Sequence, residues 1–352
     1  MTKNSKNLKY HFNICSIDTF GFMMIFMGLY IYISIACYII SPSLTSNMVL
    51  SLDRLNTIDA VATSMFGYLT MLMLIFPLLL TKSLVRVPTF ISRRDLQWPK
   101  QGMKHLISFL LVTVGLIVSN ISIFSQIFKW MDAPEDSQKI LYILLSVQSL
   151  IPPFYFCVTS LFTSCFLDVF CKLTLLKTPQ DEAEHAKRSL RLFNEIDKGF
   201  GSFFIHTFVL SQIFIIFSLF IALTGAVEPY MPPLAQCGIS FGQLMISLGM
   251  LLNITALTLS IDEANEALKG LTESLQDFLL INRANYEKQE VLNTIKKLEN
   301  SGPLSGKRFF SITRGTITGM LSISITYLII IVQFKISVIS TPNIQNSTRS
   351  IR

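Results

Sequence analysis

Charged residues are spaced so that seven stretches of the chain run free of Asp, Glu, Lys and Arg for long enough to cross a bilayer. A helix needs about 20 apolar residues to span roughly 30 Å of hydrocarbon. The runs lie between Asp18 and Asp53, Asp59 and Lys82, Lys104 and Lys129, Lys139 and Asp168, Lys198 and Glu228, Glu228 and Asp262, and Arg314 and Lys335. His105, at one edge, and His206 are the only histidines within them. The pattern predicts seven membrane-spanning helices.

Two of the segments between the runs carry a helical pattern of their own. In "TPQDEAEHAKRSLRLFNEIDK", Thr178 is placed to cap a helix, Pro179 suits its first position, and acids fill the first turn. Leu190, Phe193, Ile196 and Phe200 then recur at helical spacing. From Ile261, Ala264, Leu268, Leu271, Leu275, Phe278 and Leu279 form one apolar face with acids on the others. A third stretch, "EVLNTIKKLENSGPLSG", puts Leu292, Ile295 and Leu298 on one side and ends in a Gly/Pro turn. These helices are expected to continue the spans out of the membrane and pack together.

Composition agrees with the spans: 51% of the 352 residues are hydrophobic, 14% are charged, and the mean hydropathy is +0.53. Orientation follows from the cations, which cytoplasmic loops retain. With the N-terminus inside, the inner segments hold 22 Lys and Arg, the outer ones 6, and Arg314 opens the last run. The basic start of the chain has no cleavable leader pattern, so the first run is kept as a span. The expected fold is therefore an all-α membrane protein with seven transmembrane helices, N-terminus cytoplasmic, C-terminus extracellular, and long cytoplasmic helical extensions. The expected divisions are a cytoplasmic N-terminus (1–19), helices one to six with an extension around 178–200 (20–261), cytoplasmic anchor helices (262–308), the last helix (309–334) and an extracellular tail (335–352).

The same asymmetry accounts for a net charge of +7 without nucleic acid, and no stripe of Arg and aromatics offers a nucleic-acid surface. Of six cysteines, Cys37 and Cys237 both fall near the outer leaflet; buried free thiols are favoured over a bridge. No phosphate loop, HExxH, CxxC or nucleophile elbow is present, and the four histidines are scattered across cytoplasm, membrane edge and span interior. The expectation is no enzyme, no metal and no cofactor. Ion-coupled transport calls for ionisable groups inside the membrane, of which there is little beyond His206. A receptor signalling through G proteins would place its N-terminus outside, against the cation count. A receptor or a channel is left.

The last run, "GTITGMLSISITYLIIIVQFK", carries Gly315, Gly319, Ser322, Thr326, Ile330 and Gln333 on one helical face. Such a small, polar stripe either packs closely on another helix or lines water. Packing has no need of a long amide at the outer end, and Gln333 turns the choice toward a pore, with Gln333 or the adjacent Phe334 constricting it.

"TYLIIIVQF" at 326–334 resembles the TYhhhhhQF signature of the insect gustatory receptor family, h being hydrophobic, and "GKRFFSITRGTITGMLSISI" is similar to that family's lead-in to its last helix. The likeness in sequence covers roughly residues 302 to 334. It implies a ligand-gated, non-selective cation channel in the plasma membrane of sensory neurons, a homo- or heterotetramer surrounded by lipid and opened by a small-molecule tastant. It also implies that the seventh helix lines the pore, with Ser322, Thr326, Tyr327 and Ile330 along it, and that Gln333 and Phe334 form the gate. The ligand would enter among the outer halves of the preceding helices. Here those halves offer Ser64 and Tyr68, Asn120 and Gln126, Tyr142, Gln148 and Ser149, Phe217 and Thr224, and Gln236, Ser240 and Gln243. Each also has a plain structural use, because intramembrane Ser, Thr and Asn commonly bond a neighbouring carbonyl. With amides, hydroxyls and aromatic faces but no carboxylate or tryptophan, the set favours a neutral, moderately apolar ligand over a sugar. The rival readings are a metabotropic seven-helix receptor and a partner subunit that binds no ligand.

Overall fold

The computed structural model describes residues 98–130, 156–174, 182–225, 233–281, 285–306 and 309–340. The first two expected spans, Thr178, Pro179 and residues 341–352 of the expected tail lie outside the described residues. The described elements are α1 (Gly102–Trp130), α2 (Phe156–Thr174), α3 (Glu182–Gly225), α4 (Pro233–Ile281), α5 (Asn285–Ser301) and α6 (Arg314–Ser340). All but α5 are long and apolar enough to cross a membrane, and they match the third to seventh uncharged runs.

Helices α3 and α4 are each one continuous rod. Their 44 and 49 residues extend for about 66 Å and about 73 Å at 1.5 Å per residue, more than twice the hydrocarbon thickness. Pro233 opens α4, where a missing N–H costs nothing, and no later proline interrupts either helix. The extensions pack by the faces their sequences announce: Leu190, Phe193, Ile196 and Phe200 on α3 and Ala264, Leu268, Leu271 and Leu275 on α4 are buried. On α5 the expectation needs correcting. Leu292 is exposed, and the buried side is Val291, Ile295 and Leu298. Two successive steps of three residues drift around a helix, whereas steps of four and three stay on one face.

Helix α4 is the hub, touching α1, α3, α5 and α6. Against α1 it presents Gly238, Gly242, Ile246, Gly249 and Asn253; α1 answers with Ser122, Ser119, Gly115, Val112, Ser108 and His105. The two backbones approach so closely at the crossing that a Cβ on Gly242 would lie 2.5 Å from the Gly115 carbonyl oxygen, and one on Gly115 at the same distance from that of Gly242. Small residues permit this approach where lipid gives helices no hydrophobic reason to associate. The Ser108 hydroxyl donates to the Gly249 carbonyl at 2.6 Å across the seam.

Elsewhere the core is built of phenylalanine. Phe166 and Phe170 of α2 meet Phe200 and Phe193 of α3 at ring-centroid distances of 6.1 and 5.6 Å, within the range where offset aromatic pairs attract. Cys157, Cys165, Cys171 and Cys237 are free thiols; Cys237 is exposed, not buried as expected.

Gly302, at φ 65°, lies in the left-handed region and ends α5. The chain then pairs with itself, Gly306 N–H donating to the Phe310 carbonyl at 3.0 Å and Ile312 N–H to Leu304 at 3.2 Å. This turn is fastened to the long helices by two side chains. The Asn265 carbonyl accepts from Leu304 N–H at 2.8 Å while its amide donates to the Ile312 carbonyl, and Asp197 accepts from both the N–H and the hydroxyl of Ser305.

Two glycine substitutions in α4 should move stability in opposite directions. Gly242→Leu must push α1 and α4 apart and should cost about 1–3 kcal/mol or more, seen as a lower Tm of the detergent-solubilised protein. Gly270→Ala, where a Cβ meets nothing within 4 Å, should gain about 0.5–1 kcal/mol from the better helix former.

Candidate functional site

Helix α6 stands at the side of the bundle with most of its surface uncovered by its own chain. Met320 and Ser324 are its buried residues, and Ile317, Leu328, Ile331 and Val332 are half-buried beside them. Gly315 and Gln333 each lie nine residues from Ser324, about two and a half turns, which sets them on the opposite face. Gly315, Gly319, Ser322, Thr326, Ile330 and Gln333 are all exposed. The stripe read from the sequence thus points away from the protein's own bundle along its whole length. Tyr327 is exposed on the flank between the two faces. Thr326 donates its hydroxyl to the Ser322 carbonyl at 2.9 Å, a bond within the helix. Phe334 belongs to α6, but its side chain lies outside the described residues.

The glycines of the stripe are not explained by anything in the same chain. A Cβ on Gly319 would meet nothing within 4 Å, and one on Gly315 only the Thr313 hydroxyl at 3.5 Å. In the α1–α4 seam, by contrast, each glycine is required by a neighbour.

Three polar fastenings hold α6. At its base Arg314 donates to Asp262 at 2.6 Å and to Glu266 at 3.2 Å, both on α4. Immediately before it, the turn is fixed by Asn265 and Asp197. Partway up, the Gln212 amide of α3 donates to the Met320 carbonyl at 2.9 Å and to the Ser324 hydroxyl at 2.6 Å. Sequence reasoning passed over Gln212. Its signal was an amide in the otherwise apolar "FVLSQIFIIF", the same kind of signal that singled out Gln333.

Of the candidate ligand residues, Ser64, Tyr68, Tyr142, Gln148 and Ser149 lie outside the described residues. Gln126 and Thr224 fall on α1 and α3, but their side chains are not described. Phe217 is half-buried against the core. Asn120 and Gln236 are half-buried and engaged with partners. Gln243 is buried in the α1–α4 seam, where its amide donates to the Ser119 hydroxyl at 3.0 Å. Its carbonyl oxygen and the Ser240 hydroxyl are buried without a protein partner. On the outer half of α4, then, two buried polar atoms have no donor or acceptor within hydrogen-bond reach among the described residues.

A second polar cluster lies deeper and was also missed. His105 Nδ1 is 2.6 Å from Asn253 Oδ1 and Nε2 is 2.8 Å from the Ser164 hydroxyl. The Asn253 amide donates to Ser160 at 3.1 Å, and Ser260 donates to Ser164 at 3.1 Å. An amide oxygen only accepts, so a proton sits on His105 Nδ1, and with the ring neutral the Ser164 hydroxyl donates a hydrogen bond to Nε2. A neutral imidazole therefore satisfies the whole set and joins α1, α2 and α4. It is a structural cluster, with no carboxylate in it.

In three dimensions the chain aligns with the insect olfactory receptor OR5 from Machilis hrabei at a TM-score of 0.58 and 13% identity, covering 87% of each chain. The fold is that of an insect olfactory receptor. With the same receptor in complex with eugenol the TM-score is 0.54 at 15% identity, again over 87% of each chain. No protein-family model matches the sequence, and no curated protein does. The olfactory-receptor fold agrees with the membrane helices and long extensions read from the sequence, while the gustatory resemblance rests on the residues of the last helix.

Asn253→Leu should cost about 1–3 kcal/mol, because it strands His105 Nδ1–H and removes the donor to Ser160. His105→Leu added to it should cost less than His105→Leu alone, as the two residues share one network. Melting of the two single variants and the double variant checks both statements.

Proposed function

We propose that the protein is a subunit of a chemosensory receptor channel of the gustatory type, a non-selective cation channel opened by a small extracellular tastant. The observation that carries this reading is the exposure of the α6 stripe on the face opposite its own bundle. A membrane helix that keeps two glycines, a serine, a threonine and a glutamine on a surface its own chain leaves open is suited to meet copies of itself around an aqueous path. The olfactory-receptor fold supports a receptor of the same general build, and the 326–334 signature supports the gustatory branch.

Four copies, identical or related, would bring four α6 helices together, with Ser322, Thr326 and Ile330 along the path and Gln333 and Phe334 closing it. A ring of phenylalanines blocks ions by keeping water out, and dilation of the ring lets water and ions through. The ligand would sit among the outer halves of the other helices, near the unpartnered Ser240 hydroxyl and Gln243 carbonyl. The olfactory neighbour's complex with eugenol supports a small, largely apolar ligand.

Whole-cell recording from cells that express the chain tests the reading. Ligand from a panel of bitter compounds and sugars should evoke a cation current reversing near 0 mV with sodium outside and potassium inside. Gln333→Ala should alter its conductance or ion preference, and Phe334→Ala should leak without ligand. Normal closure and unchanged ligand-evoked current in Phe334→Ala would remove Phe334 from the gate. A second-messenger response without current, at normal surface expression, would favour the metabotropic rival.

A further inference from the structure

Resting on the reading that α6 lines the ion path, we infer that Gln212 is the positioning residue that fixes the resting place of α6, and that α6 bends or tilts about it. Three observations lead there. Below Ser324, α6 is tied to the bundle by Arg314 to Asp262 and Glu266, and the turn before it is held by Asn265 and Asp197. At Ser324, Gln212 spends both amide hydrogens on α6, one on a backbone carbonyl and one on a side chain. From Thr326 onward, no hydrogen bond among the described residues joins α6 to another helix, and Thr326 turns its own hydroxyl back onto Ser322.

Among the described residues, hydrogen bonds therefore fasten the last helix over its inner part and not above it, where Leu328, Ile331 and Val332 are half-buried. Gln212 marks the boundary between the two parts. Apolar contacts are non-directional and slide, whereas an amide held to a carbonyl and a hydroxyl has one geometry. The Gln212 carbonyl oxygen is buried with no partner, so every bond this side chain makes among the described residues goes to α6.

The test uses the full chain in cells, with Cys37 and Cys237 replaced by serine and Gln333→Cys as a reporter for a membrane-impermeant maleimide added outside. Three readouts are taken: surface expression, ligand-free current and the rate of labelling at position 333. Gln212→Leu, similar in volume and unable to donate, should raise the labelling rate several-fold and increase ligand-free current. Ser324→Ala should shift both in the same direction by less. Adding Ser324→Ala to Gln212→Leu should change little, because the bond to Ser324 is already lost. Loss of packing alone would lower surface expression without this ordered effect at a site about two and a half turns away.

Unchanged labelling and current in surface-expressed Gln212→Leu would overturn the inference. If that variant does not reach the surface, Ser324→Ala decides, and unchanged labelling there overturns it equally. Faster labelling with no current in any variant, including the parent under ligand, would keep Gln212 as the fastening of α6 and overturn an ion path formed by copies of this chain alone.

Discussion

The close approach of α1 and α4 at Gly115 and Gly242 is the constraint from which the remaining arrangement follows. Within lipid, helices gain little from hiding apolar surface, so association depends on close packing and on hydrogen bonds between backbones and short side chains. Glycines and serines along both helices allow that contact over much of their length. At its inner end the same seam passes into the His105 cluster, which brings in α2. Once α4 is fixed against α1, its other faces are left to hold α3, α5 and the base of α6.

The organisation of the membrane helices was legible because it depends on features that a linear pattern carries. Uninterrupted uncharged runs specify spans, and the buried faces of the α3 and α4 extensions appear as residues three and four apart. Leu292 was misplaced because steps of three on both sides of Ile295 look periodic in a short window yet wander around the helix. The seam was readable in principle, since Gly238, Gly242 and Gly249 share a face, but the helix meeting it is more than a hundred residues away. Pairings such as His105 with Asn253, Asp197 with Ser305 and Gln212 with Ser324 are tertiary facts of the same kind.

The stripe on α6 was legible for a different reason. Its residues are unusual for their place, and unusual residues in an apolar helix are informative without knowledge of their partners. The sequence alone set helix packing against a water-lined path for it, and the long amide of Gln333 turned the choice toward the path. The fold adds that the stripe faces away from the chain's own bundle, and that its glycines have no neighbour within the chain to accommodate. The ligand region was less legible, because hydroxyls and amides in outer half-helices serve packing as readily as binding. Gln243 illustrates this: its amide is part of the seam while its carbonyl oxygen stays unpartnered.

Helices α3 and α4 cross the membrane and continue well beyond it without a proline to break them. A rod about 73 Å long that pivots at one end moves its other end by about 1.3 Å for every degree of tilt. The apolar faces that join the two extensions to each other and to α5 cannot slide that far without losing their fit. The bundle inside the cell thus acts as a brace against rocking of the long helices. Among the described helices, α6 from Thr326 onward has no hydrogen bond to another helix and so lacks such a brace.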